Sequence, residues 1–436
     1  MKVTYKSLKD VAFHEAYYGQ PETALAALDA LLSADPFDIE ARFLAVDVFT
    51  KLQAWDSLEK TLVYSIEIAM RSGHPVAAIH LLHTLEKLGR DADPLWKKLA
   101  FLYSSDSTSL SNSGSRIAPL PDETPVEAPD TSVSRTDGIA RVTHRVQTIT
   151  RPEDFPQRLL PMPLLSDVPA AHFVETAKVL VPLQLTLGQF LIREGEIGTS
   201  FFMIATGTFS VFKSDPTGRI QELATLHTGA VVGEMALMQR TPRTASVRAE
   251  SDARVLEFPA EALGKLTQHL ELVAQALDKF SRERLLANLM NTSPLFKPFS
   301  RSQRMDLLKH FHAYVVDTNT VVVHQGEEGT GLYVIVSGEV EVIRDYGTQN
   351  AITLATLTAP ESFGEISLLT GSPTTATVVT ARRSTLLFLA RTYFLRLVDA
   401  VPEMRSYFQQ LAETRLARNL EFETTLETQE EEIILI

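Results

Sequence analysis

Leu191-Ile-Arg-Glu-Gly-Glu-Ile-Gly-Thr-Ser-Phe-Phe-Met-Ile204 and Val322-Val-His-Gln-Gly-Glu-Glu-Gly-Thr-Gly-Leu-Tyr-Val-Ile335 are two versions of one pattern, and their relation decides how the chain is organised. Gly195 pairs with Gly326, Gly207 with Gly338 and Gly233 with Gly364, always 131 residues apart, and Leu223-Ala-Thr-Leu226 recurs unchanged as Leu354-Ala-Thr-Leu357. A register held constant across turns and strands marks a duplicated domain. Within each copy Val, Ile, Thr and Phe alternate in short runs broken by Gly, Asp or Pro, as in a β-roll or barrel. Helical periodicity follows both copies, over Glu261–Leu289 and over Arg391–Leu420.

In the first copy, Val232-Gly-Glu-Met-Ala-Leu-Met-Gln-Arg-Thr-Pro-Arg-Thr-Ala-Ser-Val247 joins two expected strands. Gly233 lets the backbone turn and approach a ligand, and the apolar segment after Glu234 suits a helical turn whose free N–H groups face an anion. Arg243 brings a permanently charged fork of donors that grips two phosphate oxygens, and the small Ala245 leaves its backbone amide accessible. Glu234, when ionised, only accepts hydrogen bonds; beside a sugar it takes the 2′-hydroxyl proton and selects ribose. Together these residues describe a pocket for a ribose carrying one negative phosphate.

Gly233-Glu234 followed by Pro242-Arg-Thr-Ala-Ser246 resembles the phosphate-binding cassette of the cyclic-nucleotide-binding domain family, whose members include bacterial catabolite activators, regulatory subunits of protein kinase A and cyclic-nucleotide-gated channels. The resemblance covers about 160–420, both copies. It implies cyclic AMP or cyclic GMP as ligand, with no cofactor and no metal. Glu234 would bind the ribose hydroxyl and Arg243 the phosphate, while Met235, Ala236, Ala245 and Ser246 would add backbone or hydroxyl donors. Thr244 does not decide between the bases, because members responding to either carry Thr there. The reading favours cyclic AMP, the commoner ligand of bacterial-looking members.

The second copy departs from the pattern. Phe363-Gly-Glu-Ile-Ser-Leu368 keeps the ribose half, with Gly364, Glu365, Ile366 and Ser367, but Gly371-Ser-Pro-Thr-Thr-Ala-Thr-Val378 places Thr374 and Thr375 where the first copy has Arg243 and Thr244. Arg382 and Arg383 lie further along the next strand and are not expected to substitute. The second pocket is therefore expected to be empty, or to hold a neutral ribose-bearing ligand such as a nucleoside.

Ahead of the repeat, apolar residues from Ser7 to Tyr103 fall at helical spacing, and turn signals at Gly19-Gln20-Pro21, Asp35-Pro36, Ala54-Trp55, Ser72-Gly73 and Asp91–Pro94 divide them into about six helices. Tyr17, Tyr18, Gly19, Ala24, Leu28, Leu32, Asp35 and Pro36 resemble one tetratricopeptide repeat. Between this region and the first copy the sequence turns to Ser, Thr, Pro and Asp, a composition too poor in large apolar residues to offset its ordering entropy.

The expected architecture is multidomain: an all-α helical-repeat domain over 1–105, a flexible linker over 106–157 with Ile139–Ile149 docking as a short strand, and two β-roll, jelly-roll-like domains with flanking helices. These occupy 158–290 and 291–436, the second ending in an acidic tail.

Composition narrows the function. With 44% apolar and 22% charged residues the chain has the balance of a globular protein, and its net charge of −13 disfavours nucleic acid and anionic membrane as partners. Without cysteine it has no disulfide, thiolate metal site or cysteine nucleophile. No apolar run is long enough to span a bilayer, and Met1–Asp10 lacks a signal-peptide core, so the expected location is cytoplasmic. Eight acids against three arginines after Pro402 argue against a DNA-binding helix-turn-helix. His310 and His312 lack a third ligand at a convincing spacing. No nucleophile elbow or paired base suggests an enzyme. The expected function is a nucleotide-gated regulator acting on a protein partner through the helical region, with homodimerisation left open. The alternatives are a scaffold with vestigial nucleotide domains and a kinase-subunit-like inhibitor, although the linker lacks the adjacent arginines of such an inhibitor sequence.

Overall fold

The computed structural model describes residues 2–148, 151–214, 219–234, 242–265 and 293–417; between 266 and 292 it describes only 275–276, 279–280, 286 and 289–290. The chain forms two compact units, residues 1–280 and 281–436.

The first unit begins with a short strand, β1 (Lys2–Thr4), and six helices: α1 (Tyr5–Tyr17), α2 (Pro21–Ala34), α3 (Ile39–Lys51), α4 (Trp55–Arg71), α5 (Pro75–Lys87) and α6 (Asp93–Tyr103). Every expected turn signal falls at a junction between two of them. Pro21 and Pro75 occupy first-turn positions, where a missing N–H is harmless, and the Asp38 side chain caps α3 by accepting from Ala41 N at 2.8 Å. Between α4 and α5, Gly73 has φ +90°, and a Cβ there would lie 2.8 Å from the Arg116 Cα. Glycine is therefore required both for the turn and for the chain that crosses it.

That crossing chain is where the fold corrects the sequence reading. The described part of 106–157 is not a free linker: it holds β2 (Leu110–Ser115), β3 (Pro125–Glu127) and a 13-residue helix, α7 (Arg135–Gln147). Strand β3 pairs with β1, and Ile117 N donates to Ser72 O at 2.9 Å. The short strand expected over Ile139–Ile149 is instead α7, capped by Ser134 and packed on α2 and α4. Its Val142 and Val146 are fully buried, Arg145 pairs with Asp29 at 2.7 Å, and the buried Arg42 guanidinium reaches both Pro36 O and Val146 O. Few but well-placed apolar contacts, with buried polar groups satisfied, order a segment whose composition alone reads as disordered.

After α8 (Ala170–Lys178), the first β-roll comprises β4 (Val181–Leu185), β5 (Phe190–Ile192), β6 (Ser200–Thr206), β7 (Phe209–Ser214), β8 (Ile220–Leu226), β9 (Val231–Val232), β10 (Ser246–Ala249) and β11 (Ala253–Pro259), followed by α9 (Ala260–Lys265). Two four-stranded antiparallel sheets, ordered β5-β10-β7-β8 and β4-β11-β6-β9, face each other. Helix α5 packs on β6 and β11. The stacked Phe201 and Phe258 rings, 4.9 Å apart, belong to the same buried core as Leu28, Phe49 and Trp96. The helical region, α7 and one sheet of the roll thus share one core, so 105 is not the end of a self-contained core.

The second unit has α10 (Arg301–Leu308), β12 (Phe311–Val316), β13 (Val321–Val323), β14 (Gly331–Ser337), β15 (Glu339–Arg344), β16 (Ile352–Thr358), β17 (Ser362–Phe363), α11 (Glu365–Thr370), β18 (Thr377–Thr380), β19 (Ser384–Ala390) and α12 (Arg391–Ala400), then a helix over 402–417. Its sheets, β12-β19-β14-β17 and β13-β18-β15-β16, repeat the arrangement of the first roll. The 131-residue register survives in the backbone. Gly188 N donates to Ala249 O as Asn319 N does to Thr380 O, and both Gly188 (φ +85°) and Asn319 (φ +59°) are left-handed, a conformation Asn tolerates better than most side chains.

The two-roll, helix-flanked architecture is as the sequence led us to expect. Of the long helix expected over Glu261–Leu289, most lies outside the described residues; the one expected over Arg391–Leu420 is interrupted at Val401, with Pro402 opening the next helix, and its last three residues are outside them too.

Candidate functional site

In the first roll the chain leaves β9 at Gly233 (φ +89°) and returns at Pro242. Met235 and Ala236, named above as donors, lie outside the described residues, as does all of 235–241. The two ends of the loop meet. Arg243 Nη1 donates to Gly233 O at 2.5 Å and Nη2 to Ser200 O at 2.6 Å, and a Cβ on residue 233 would sit 2.6 Å from Nη1. Backbone bonds fix the arginine: Arg243 N donates to Glu196 O at 2.8 Å, and Gly195 N donates to Arg243 O at 2.9 Å.

Glu234 and Arg243 are both buried, at 4% and 8% exposure. Burial draws the guanidinium below its ordinary pKa, against the opposing field of Glu196, Glu234 and Glu257. Such a side chain remains a cation, held rigidly beside a buried carboxylate. The Ser246 hydroxyl accepts from Glu194 N at 3.0 Å, while Thr244 is exposed and Ala245 half-buried.

The second roll repeats the frame with different side chains. Thr374 N donates to Glu327 O and Gly326 N to Thr374 O, both at 2.9 Å, matching the Arg243 bonds at the same offset. The Thr374 hydroxyl, however, is directed at the carbonyls of His324 and Glu327, into the wall. Gly364 O, whose counterpart receives Arg243, here accepts from Ser367 Oγ at 3.1 Å. Ile366 and the exposed Thr375 line the cavity beside them. Arg382 and Arg383 turn to Glu339 and Asp317 instead.

The residue that sequence reasoning missed is Arg415, on the 402–417 helix. Its Nη1 donates to Glu365 Oε1 and to Ser362 O, each at 2.7 Å, and it lines a cavity of about 780 Å³, counting the space open to solvent. No local signal marks it, for it is 50 residues from the carboxylate it meets. Outside this site, His310 stacks on Tyr393 at 4.7 Å, and no group of three or more metal-ligating side chains occurs among the described residues. Nor, among them, is any helix long and apolar enough to cross a membrane.

The family described as cyclic nucleotide-binding domain matches residues 182–269 and 315–400. The chain is 28% identical over 191 residues to a cAMP-dependent protein kinase type II regulatory subunit of Drosophila melanogaster, covering 44% of this chain and 47% of that one. It is 26% identical over 258 residues to a cAMP-dependent protein kinase regulatory subunit of Dictyostelium discoideum, covering 57% and 76%. The chain thus spans about half the length of the fly relative. Among solved structures, the regulatory domain of Toxoplasma gondii PKA with cAMP matches at 19% identity and a TM-score of 0.28, over 57% of this chain and 92% of that one.

Proposed function

We propose that this chain, which carries two cyclic nucleotide-binding domains in tandem, is a non-enzymatic regulator that binds a cyclic nucleotide, cyclic AMP in preference to cyclic GMP, in its first domain and passes a conformational signal to a protein partner. The observation that carries the reading is the meeting of Arg243 with Gly233 beside a buried Glu234. A fixed cation and an acceptor-only carboxylate stand at two ends of one loop, the two kinds of group that a ribose with a cyclic phosphate calls for. Ligand binding shifts the population of conformers at α9, the helix that follows the roll. The helical region, sharing its core with the roll, is the surface offered to the partner.

Similarity to kinase regulatory subunits supports a kinase as partner class. The stretch that would hold an inhibitor sequence is instead folded: Arg141 pairs with Asp130 and Arg145 with Asp29. A kinase would therefore be contacted by another surface.

Calorimetric titration of the full chain with cyclic AMP and cyclic GMP tests the reading. One saturable site per chain is expected, tighter for cyclic AMP. Absence of binding by both nucleotides would overturn it, and two equivalent sites would overturn the assignment to the first domain alone.

A further inference from the structure

The second roll is not a decayed copy of the first. Three changes fit one another. Losing the arginine at position 374 would strip Gly364 O of the donor its counterpart has, and Ser367, standing where the first copy has Ala236, supplies one. Thr374 spends its hydroxyl on the wall rather than on the cavity. Arg415 arrives from outside the repeat and pairs with Glu365.

What remains is a cavity with apolar walls, formed by Val323, Val342, Leu354, Leu357, Phe363 and Val378, beside a carboxylate with one oxygen that has no hydrogen-bond partner among the described residues. Glu365 is 1% exposed; its Oε1 is held by Arg415, while Oε2 is buried with no hydrogen-bond donor among the described residues. A buried carboxylate oxygen calls for a donor. Among the described residues that line the cavity Arg415 is the one cation; it is matched by Glu365, and Glu361 adds a second carboxylate at the exposed edge. A phosphate would enter a cavity already negative in sum and lose its hydration uncompensated. A neutral ligand with a hydroxyl donor and an apolar ring would not.

We infer that the second domain binds an uncharged ribonucleoside, its 2′-hydroxyl donating to the Glu365 carboxylate and its base lying against the apolar walls, with Arg415 as the positioning residue that holds the carboxylate. The inference rests on reading both rolls as nucleotide-binding domains, and the ribose preference comes from Glu365 standing at the offset of Glu234. It does not depend on the first site being occupied.

The test uses the full chain carrying Arg243→Ala, so that only the second cavity reports. Adenosine, guanosine, cytidine and uridine are titrated by calorimetry, each beside its 2′-deoxy form and its 5′-monophosphate. At least one ribonucleoside is expected to bind at one site per chain, with both modified forms weaker by about tenfold or more. In Arg415→Leu the same ribonucleoside should weaken while its margin over the deoxy form narrows, a change that simple loss of packing would not produce. Absence of binding by all four at about 1 mM, a bare 4 kcal/mol of affinity, would overturn the inference, as would equal affinity for ribo and deoxy forms. The deoxy comparison needs no altered cavity, so it stands even if Arg415→Leu fails to fold. Failure of cyclic nucleotide to bind the unmodified chain would sink the first-site reading and leave this one untouched.

Discussion

Arg254, on β11 of the first roll, is ion-paired with Asp47 on α3 of the helical region, and its guanidinium lies 4.5 Å from the centre of the Phe43 ring. Tyr17 donates to the same carboxylate oxygen at 2.5 Å. With only 5% of the Arg254 side chain exposed, Asp47→Ala strands a buried cation, so about 3–5 kcal/mol of stability should be lost. Urea denaturation measures it. A loss under about 1 kcal/mol would mean that the pair does not weld helices to roll.

Burial of His74, His80 and His83 in the helical region should make stability pH-dependent. Burial pulls His74 down to about 4 and His80 to about 3, in each case helped by a nearby arginine, Arg116 or Arg254. Above the ordinary value near 6.5 both are neutral, folded or unfolded, and the stability they contribute is intact. As pH falls below it the unfolded chain takes up protons that the folded chain refuses. Stability is therefore lost progressively until pH passes the folded values. Each contributes a slope of about 1.4 kcal/mol per pH unit within its window. His80→Phe, which keeps an aromatic edge against Phe43, should flatten the decline between pH 6 and 5. An unchanged slope would place the proton uptake elsewhere.

At the first site Arg243→Ala should weaken cyclic AMP by about 3–5 kcal/mol, a hundredfold to several thousandfold. Gly233→Ala should also weaken it without removing any charge, since its Cβ would crowd Arg243 Nη1 at a φ of +89°. Affinity within threefold of the parent for Arg243→Ala would take the arginine out of the site.

Because Ser367 already occupies Gly364 O, Thr374→Arg alone should not create a second cyclic nucleotide site, whereas Thr374→Arg with Ser367→Ala should gain affinity over either single variant. Stoichiometry by calorimetry reads the outcome. Equal affinities in the single and double variants would mean that Ser367 does not stand in for the lost arginine.

A fragment of residues 1–105 lacks α7 and the sheet against which α5 packs, exposing apolar surface that 1–280 buries. It should melt well below the longer fragment, or fail to fold, by circular dichroism. Melting temperatures that coincide would restore the boundary at 105.

Much of this was legible in the sequence because it is local or repeated. Gly195 and Gly326, at φ +84° and +83°, are the same turn written twice, and Pro21, Gly73 and Pro75 punctuate helices wherever they stand. What escaped notice is tertiary. Helix α7 carries a capping signal, Ser134 with Asp137, but its burial depends on Gly138 lying close to Leu25 and on Arg42 reaching Val146 O, neither of which has a sequence period. Arg415 sat among three arginines of an acidic tail and became meaningful only when the 402–417 helix brought it to Glu365.

The continuity of the core through α5, β6 and β11 also bears on ancestry. A module that recombination can transplant needs a seam across which few side chains interlock, and none exists near residue 105. The piece that could be moved with this core intact is the whole 1–280 unit. A roll moved without these helices would need other residues to cover the sheet face on which they rest.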